Sequence, residues 1–185
     1  MRTVYYTDRL ILRVLKGRDA KLVCDYYQRN EAFLREWEPQ RDADFFTRRG
    51  QRRDLAAEYR MIRREQMLKL WLFKREDPER VIGMISFTNL LYGDFCSCFL
   101  GYKLDQAEIN RGYMTEALEY GIELMFRQYG LHRIEANIMP HNVRSLRVVE
   151  KLGFKQEGLA RRYLKINGQW RDHIHMTLLN QQMEA

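Results

Sequence analysis

Asn110-Arg111-Gly112-Tyr113-Met114-Thr115-Glu116-Ala117-Leu118 is the stretch on which the reading of this chain turns. It follows an apolar run, Phe99-Leu100-Gly101-Tyr102-Lys103-Leu104, and opens a helical pattern. A strand, a glycine-bearing turn with a basic residue, and then a helix start is an arrangement that holds phosphate. Unpaired backbone N–H groups and the helix dipole both attract an anion there. Taken alone, a glycine at a helix start also reads as an ordinary turn. The surrounding chain has to decide between the two.

Outward from that loop, Tyr113 to Tyr129 reads as a helix with Met114, Ala117, Leu118, Gly121 and Met125 on one buried stripe. Gly130 closes it as a left-handed cap. Arg133 to Ile138 reads as a strand. Asn142 caps a further helix that turns Leu146, Val149 and Leu152 inward and ends at Gly153. Tyr163–Ile166 and Gln169–Leu178 flank Asn167-Gly168, a type I′ hairpin signal.

On the other side, Phe95 to Leu104 and Val81 to Thr88 read as strands, and so does Leu70 to Lys74, with a turn expected at Asp77-Pro78. Thr47 to Met67 reads as a long helix, Glu31 to Trp37 as a short one stopped at Pro39, Ala20 to Asn30 as another, and Leu10 to Leu15 as the first strand. The order predicts a mixed α/β sheet, largely antiparallel, with crossover helices where neighbouring strands run parallel.

The chain has 185 residues, a length that predicts one domain over 1–185 with its own core. Hydrophobic residues make up 45% and charged residues 31%, the balance of a soluble globular protein. Apolar runs fall short of the roughly 20 residues a membrane span needs. The start, Met1 to Asp8, lacks the apolar core of a signal peptide. Cys24, Cys96 and Cys98 form no CxxC and read as reduced thiols, which predicts a cytoplasmic protein. Cys96 and Cys98 are expected to pack in a strand. His173 and His175 share one strand face, but two histidines without a third ligand do not make a zinc site. His141 reads as structural.

The net charge of +7 favours an anionic partner. Residues 47–64 carry seven Arg against Asp54 and Glu58. That helix reads either as a solvated face or as a docking face for RNA-rich or acidic cargo.

The motifs together resemble the GNAT acetyltransferase superfamily, and within it the RimJ/RimL-type ribosomal-protein-alanine N-acetyltransferases. The resemblance is carried by Thr7-Asp8-Arg9-Leu10-Ile11-Leu12-Arg13, Trp37-Glu38-Pro39, Leu100-Gly101-Tyr102 and the Gly112 to Leu118 loop. Pro140-His141-Asn142 with Ser145, Gly153-Phe154 with Glu157-Gly158, and Asn167-Gly168-Gln169-Trp170-Arg171-Asp172 complete it. Trp37-Glu38-Pro39 and the last block favour the RimJ side.

The resemblance implies a central sheet of about seven strands, splayed after the strand ending near Leu104, with acetyl-CoA in the opening. It implies backbone contacts from Tyr102 to Leu104 and help from Asn142. Lys151 would approach the nucleotide end. In the superfamily phosphate loop, the position held here by Ile109 is usually Gln or Arg. Ile109 has no donor, so the backbone from Asn110 through Arg111, Gly112, Tyr113 and Met114 to Thr115 is left to hold the pyrophosphate, with the Arg111 charge assisting.

The implied reaction is acyl transfer from a thioester to an amine, which must be neutral to attack. A protein α-amine, with a reference pKa of about 7.7–8.0, needs only a weak base; a lysine near 10.4 needs far more. Ser145, in the first turn after Asn142, is the candidate donor to the leaving thiolate; it also reads as a serine satisfying its own helix start. Trp37 and Glu38 lie in the loop that walls the acceptor site in this family. Glu38 is the candidate for holding or deprotonating the amine, and Glu157 is an alternative carboxylate.

The acceptor implied is a ribosomal-protein N-terminus. A small amine (an antibiotic, a polyamine or an amino acid) is a second reading, and a basic nucleic-acid-binding module without catalysis a third. No nucleic-acid motif supports that third reading. Monomer and homodimer stay open.

Overall fold

The computed structural model describes residues 2–183; Met1, Glu184 and Ala185, which bound the expected 1–185 domain, lie outside the described residues. Eight strands form one continuous sheet: β1 (Val4–Tyr6), β2 (Leu10–Arg13), β3 (Met67–Lys74), β4 (Asp77–Leu91), β5 (Ser97–Leu104), β6 (Arg133–Ile138), β7 (Lys155–Ile166) and β8 (Gln169–Leu179). Their spatial order is β1-β2-β3-β4-β5-β6-β8-β7. Every neighbouring pair is antiparallel except β5 and β6.

Four helices flank the sheet: α1 (Ala20–Leu34), α2 (Arg48–Arg63), α3 (Tyr113–Arg127) and α4 (Val143–Lys151). Strand β3 explains how they divide. Leu68, Leu70 and Leu72 point to one face, where they join Met114, Ala117, Leu118 and Met125 of α3 and Val149 of α4. Trp71 and Phe73 point to the other, against Val23, Tyr26 and Tyr27 of α1 and Leu55 of α2. A strand buried on both faces reads as a near-continuous apolar run, as Met67 to Phe73 does. The α3 stripe packs so closely that a Cβ on Gly121 would lie 2.6 Å from Ile85 Cδ1.

The expected architecture is present, with several corrections. The sheet has one strand more than the seven implied, because Val4–Tyr6 pairs along β2 without a distinctive apolar pattern. One helix, Ala20–Leu34, replaces the two expected. Asn30 looked like a stop, but it is buried, donates to Tyr26 O at 3.0 Å and accepts from Gln106 N at 3.0 Å. The long helix ends at Arg63, and Met67 already belongs to β3. The β3–β4 turn falls at Arg75-Glu76, while Asp77-Pro78 begins β4, in a stretch of irregular register that spares proline a ladder bond. Strand β5 starts at Ser97. Cys96 precedes it at φ 39°, and Phe95 is exposed, so of the two thiols only Cys98 packs in the strand. No helix among the described residues is long and apolar enough to cross a membrane.

One carboxylate ties the first strands to α3. Glu116 accepts from Thr7 Oγ1 at 2.6 Å, Arg9 N at 2.8 Å and Arg9 Nε at 2.7 Å. Burial pushes its pKa up, but these donors outweigh burial and leave it below the ordinary glutamate value. A carboxyl depressed in the folded state contributes stability above its unfolded pKa and loses it as pH falls through the folded value. Unfolding midpoints are therefore expected to drop on acidification below about pH 4. Glu116→Gln is expected to cost about 1.5–3 kcal/mol at pH 7 and to flatten that acid dependence, both read from denaturant unfolding.

Candidate functional site

The site follows from where β5 and β6 stop pairing. Their parallel ladder runs only from Ser97↔Arg133 to Leu100↔Ala136. Both strands continue, β5 to Leu104 and β6 to Ile138, without pairing. Pro140 follows β6 and carries no N–H to extend the ladder. The result is a wedge in the sheet. On its β5 side, the backbone of residues 101–104 has no partner strand toward β6.

A cleft of about 460 Å³ fills the wedge. Its lining comes from both faces of the sheet. Met114, Thr115 and Val148 belong to the α3–α4 side, whereas Phe33, Leu34, Trp37 and Lys103 reach it from the α1 side. Lys103, Arg144, Arg147 and Lys151 line it, and no carboxylate does. Such a cleft is built for an anion with an apolar stem.

At the mouth, Asn110 and Gly112 take positive φ values of 61° and 80°. Gly112 is the N-cap of α3, and the first helical bond runs from Glu116 N to Gly112 O at 3.1 Å. The amides of Tyr113, Met114 and Thr115 therefore have no helical carbonyl to meet. Arg9 fixes this loop: its Nη1 donates to Arg111 O at 3.0 Å, and its guanidinium lies 4.7 Å from the Tyr113 ring centroid.

At the inner end, Asn142 caps α4, accepting from Ser145 N at 3.2 Å. The Ser145 hydroxyl does not serve the helix. It donates to the Tyr102 hydroxyl at 2.6 Å, and that hydroxyl donates to Ser145 O at 2.8 Å. Tyr102, on β5, thus bridges the wedge to α4. Burial pushes its phenol pKa well up, only partly opposed by the Ser145 bond. At neutral pH the pair therefore holds its protons and acts as a donor.

Of the residues singled out from sequence, Trp37, Tyr102, Leu104, Asn110, Gly112, Met114, Thr115, Asn142, Ser145 and Lys151 all line this one cleft. Ile109 lines it too, as apolar wall. Arg111, Tyr113, Glu38 and Glu157 do not line it. The Arg111 guanidinium lies 3.3 Å from Glu108 Oε2, and the Tyr113 ring packs under Arg9. The Glu38 carboxylate is ion-paired with Lys103 Nζ and lies 3.9 Å from Arg41 Nε. Glu38 lines a second, smaller cavity of about 240 Å³ on the α1 side, with Tyr27, Glu31, Gln40, Arg41 and Asn167. Glu157 is engaged by Arg133 at 2.9 and 2.5 Å. Phe33, the Lys103 side chain, Arg144 and Arg147 were missed from sequence. The signal for the arginines was present: with Val148 and Lys151 they repeat at i, i+3, i+4 and i+7 on one helix face.

Comparison with known proteins agrees with this geometry. The family model for the "Acetyltransferase (GNAT) domain" matches residues 9–155. The chain is 41% identical over 168 residues to the [ribosomal protein uS5]-alanine N-acetyltransferase of Escherichia coli (strain K12), covering 91% of this chain and 86% of that one. The structure superposes on the ribosomal-protein-S5-alanine acetyltransferase from Vibrio fischeri with a TM-score of 0.92, at 32% identity and 97% coverage of both chains. Mycobacterium smegmatis RimJ in complex with CoA-disulfide gives a TM-score of 0.90 at 26% identity, with 100% of this chain and 90% of that chain covered. The match runs through the wedge, the phosphate loop and the capped helix behind them, and on that footing the chain belongs to the GNAT acetyltransferases and is an N-acetyltransferase.

Proposed function

We propose that the protein moves the acetyl group of acetyl-CoA to the N-terminal α-amine of a ribosomal protein, by direct attack in a ternary complex. What supports this reading is the through-sheet cleft, with cations and free amides at one end and the Tyr102–Ser145 hydroxyl pair at the other. The relatives at 41% and 32% identity named above are ribosomal-protein-alanine acetyltransferases, and a structural neighbour was solved with CoA-disulfide. Residues 2–183 act as one domain in this reading, consistent with the unbroken sheet.

The amides of residues 113–115 and the Lys151 and Arg147 charges receive the phosphates. The unpaired β5 backbone from Tyr102 to Leu104 takes the pantetheine amides as a short added strand. The carbonyl carbon then lies at the inner end, beside Tyr102 and Ser145. The hydroxyl of one donates to the departing sulfur while the other keeps it oriented. Trp37 and Glu38 wall the acceptor side. With its carboxylate engaged by Lys103, Glu38 shapes that side.

The charge of α2 extends the reading to the acceptor's surroundings. Arg48, Arg49, Arg52, Arg60, Arg63 and Arg64 are exposed, and among the described residues none forms a close ion pair, as Arg53 does with Asp44 and Asp54. Arg49, Arg52, Arg53, Arg60, Arg63 and Arg64 follow helical spacing on one side, while Asp54 and Glu58 fall on another. This basic stripe serves as the face toward an RNA-bearing particle.

Acetyl-CoA turnover is expected with peptides that begin with the N-terminal alanine of a ribosomal protein. Polyamines and aminoglycosides should be poor acceptors, and robust turnover of those amines alone would overturn the reading. Ser145→Ala and Tyr102→Phe should each lower kcat about 10-fold to 100-fold with acetyl-CoA affinity retained in calorimetry. The double variant should lose little more than either, as for groups acting as one unit. Ribosome co-sedimentation should weaken steeply with salt, and reversing Arg49 and Arg60 to Glu should flatten that dependence.

A further inference from the structure

The mechanism above leaves the acceptor's proton unassigned, and the face of the sheet opposite α3 and α4 carries a group able to take it. Asn137 is the first β6 residue beyond the last β5–β6 pair, so it stands at the apex of the wedge. Its neighbours Ala136 and Ile138 point into the α3–α4 core, so Asn137 points to the other face, as Lys103 does on β5. Its cross-strand partner on β8 is His175. Two buried polar atoms there have no hydrogen-bond partner: Asn137 Oδ1 and His175 Nε2. Leaving such atoms unsatisfied costs about 1–3 kcal/mol each, and groups of this kind call for a reason.

The rest of the cluster is fully tied. His175 Nδ1 lies 2.9 Å from Glu135 Oε1. Glu135 Oε2 accepts from Arg133 Nη2 at 3.1 Å, and Arg133 is shared with Glu157 of β7. Asn137 Nδ2 donates to the Tyr163 hydroxyl at 3.1 Å. The Tyr163 ring packs edge-on against His175, centroids 5.0 Å apart. His173, on the same face of β8, also packs against the Tyr163 ring, centroids 5.5 Å apart, and its Nδ1 lies 3.0 Å from Arg171 O. A carboxylate on Nδ1 fixes the tautomer that leaves the Nε2 lone pair free, which is how a base is oriented by a third group.

Resting on the acetyltransferase reading above, we propose that His175, oriented by Glu135, accepts the proton of the acceptor amine, with Asn137 Oδ1 holding that amine at the wedge apex. The other carboxylates within reach are engaged: Glu38 with Lys103, and Glu157 with Arg133. The balance closes. An α-ammonium gives one proton to His175 Nε2, which holds it as an imidazolium beside the Glu135 carboxylate until the product leaves. The neutral nitrogen attacks the thioester carbonyl carbon, the N–C bond forms, and the C–S bond breaks with its electron pair on sulfur. The attached nitrogen then gives its second proton to the Tyr102–Ser145 hydroxyl pair, which has given one to the sulfur, so a thiol and a neutral amide leave and both hydroxyls are restored. In this assignment Glu135 is a positioning residue.

The test compares wild type, His175→Gln and Glu135→Gln with an N-terminal alanine peptide. It reads kcat, the kcat/KM pH profile and acetyl-CoA affinity by calorimetry. His175→Gln is expected to lower kcat about 10²-fold, to move the acid limb of the profile to the ionisation of the amine itself and to leave acetyl-CoA affinity unchanged. Glu135→Gln is expected to give a smaller loss and to move that limb, which a merely structural role would not do. If His175→Gln does not fold, the Glu135→Gln profile decides: an unmoved limb overturns the assignment. A wild type that acetylates no such peptide overturns both this and the function proposed above. A wild type that does, with His175→Gln matching its rate and profile, overturns the His175 assignment alone.

Discussion

Four residue pairs of parallel ladder, Ser97↔Arg133 through Leu100↔Ala136, hold β5 against β6, and everything functional depends on that pairing being so short. Extended over the full strands, it would seal the sheet and satisfy the β5 backbone internally. Cut off at Leu100, it leaves a run of amide and carbonyl groups facing an apolar, cation-lined opening. Buried backbone groups need partners, so the fold keeps a place for a ligand with amides of its own. The sheet stays in one piece because the α3–α4 side of the core runs beneath both halves, from Leu68 and Leu70 on β3 to Ile134 and Met176 on β6 and β8.

The two ends of the opening are held by different physics. The outer end is electrostatic and made of backbone: the left-handed Asn110 and Gly112, the first-turn amides of α3 and the charges of α4. Its shape is kept by Arg9, which reaches in from the first strands to Glu116 of α3 and Arg111 O, so the Thr7-Asp8-Arg9 segment matters through the loop it braces. The inner end is made of neutral hydroxyls. Tyr102 and Ser145 hold each other across the wedge, and burial keeps the phenol protonated. The opposite face adds a third set, the Glu135–His175 pair beside Asn137, where the proton chemistry of the acceptor is placed in our assignment.

Much of this was legible in the chain. The phosphate loop, the Asn142 cap with Ser145 three residues on, the Gly153 stop and the Asn167-Gly168 hairpin each depend on local backbone chemistry that residue type dictates. The α3 stripe and the both-faces-buried β3 follow from periodicity. Boundaries failed where tertiary partners overrode local signals. Asn30 continues α1 because Gln106 N needs its side-chain oxygen. Pro78 enters β4 because the register there is irregular. The long, exposed β7 showed too little alternation to be read in full.

Sequence by itself determined the order of elements, the loop that offers backbone amides to an anion, and the basic face of α2, because these are set by residues close along the chain. Only the tertiary structure decided which side chains are free to act. Glu38 finds Lys103, 65 residues away, and Glu157 finds Arg133, so both carboxylates named from sequence are engaged. Glu135 and His175, 40 positions apart and unremarkable as letters, come together because β6 and β8 pair at Asn137↔His175. Charge neutralisation and orientation are pairwise properties of neighbours in space, and strand pairing, invisible in any local window, chooses the neighbours.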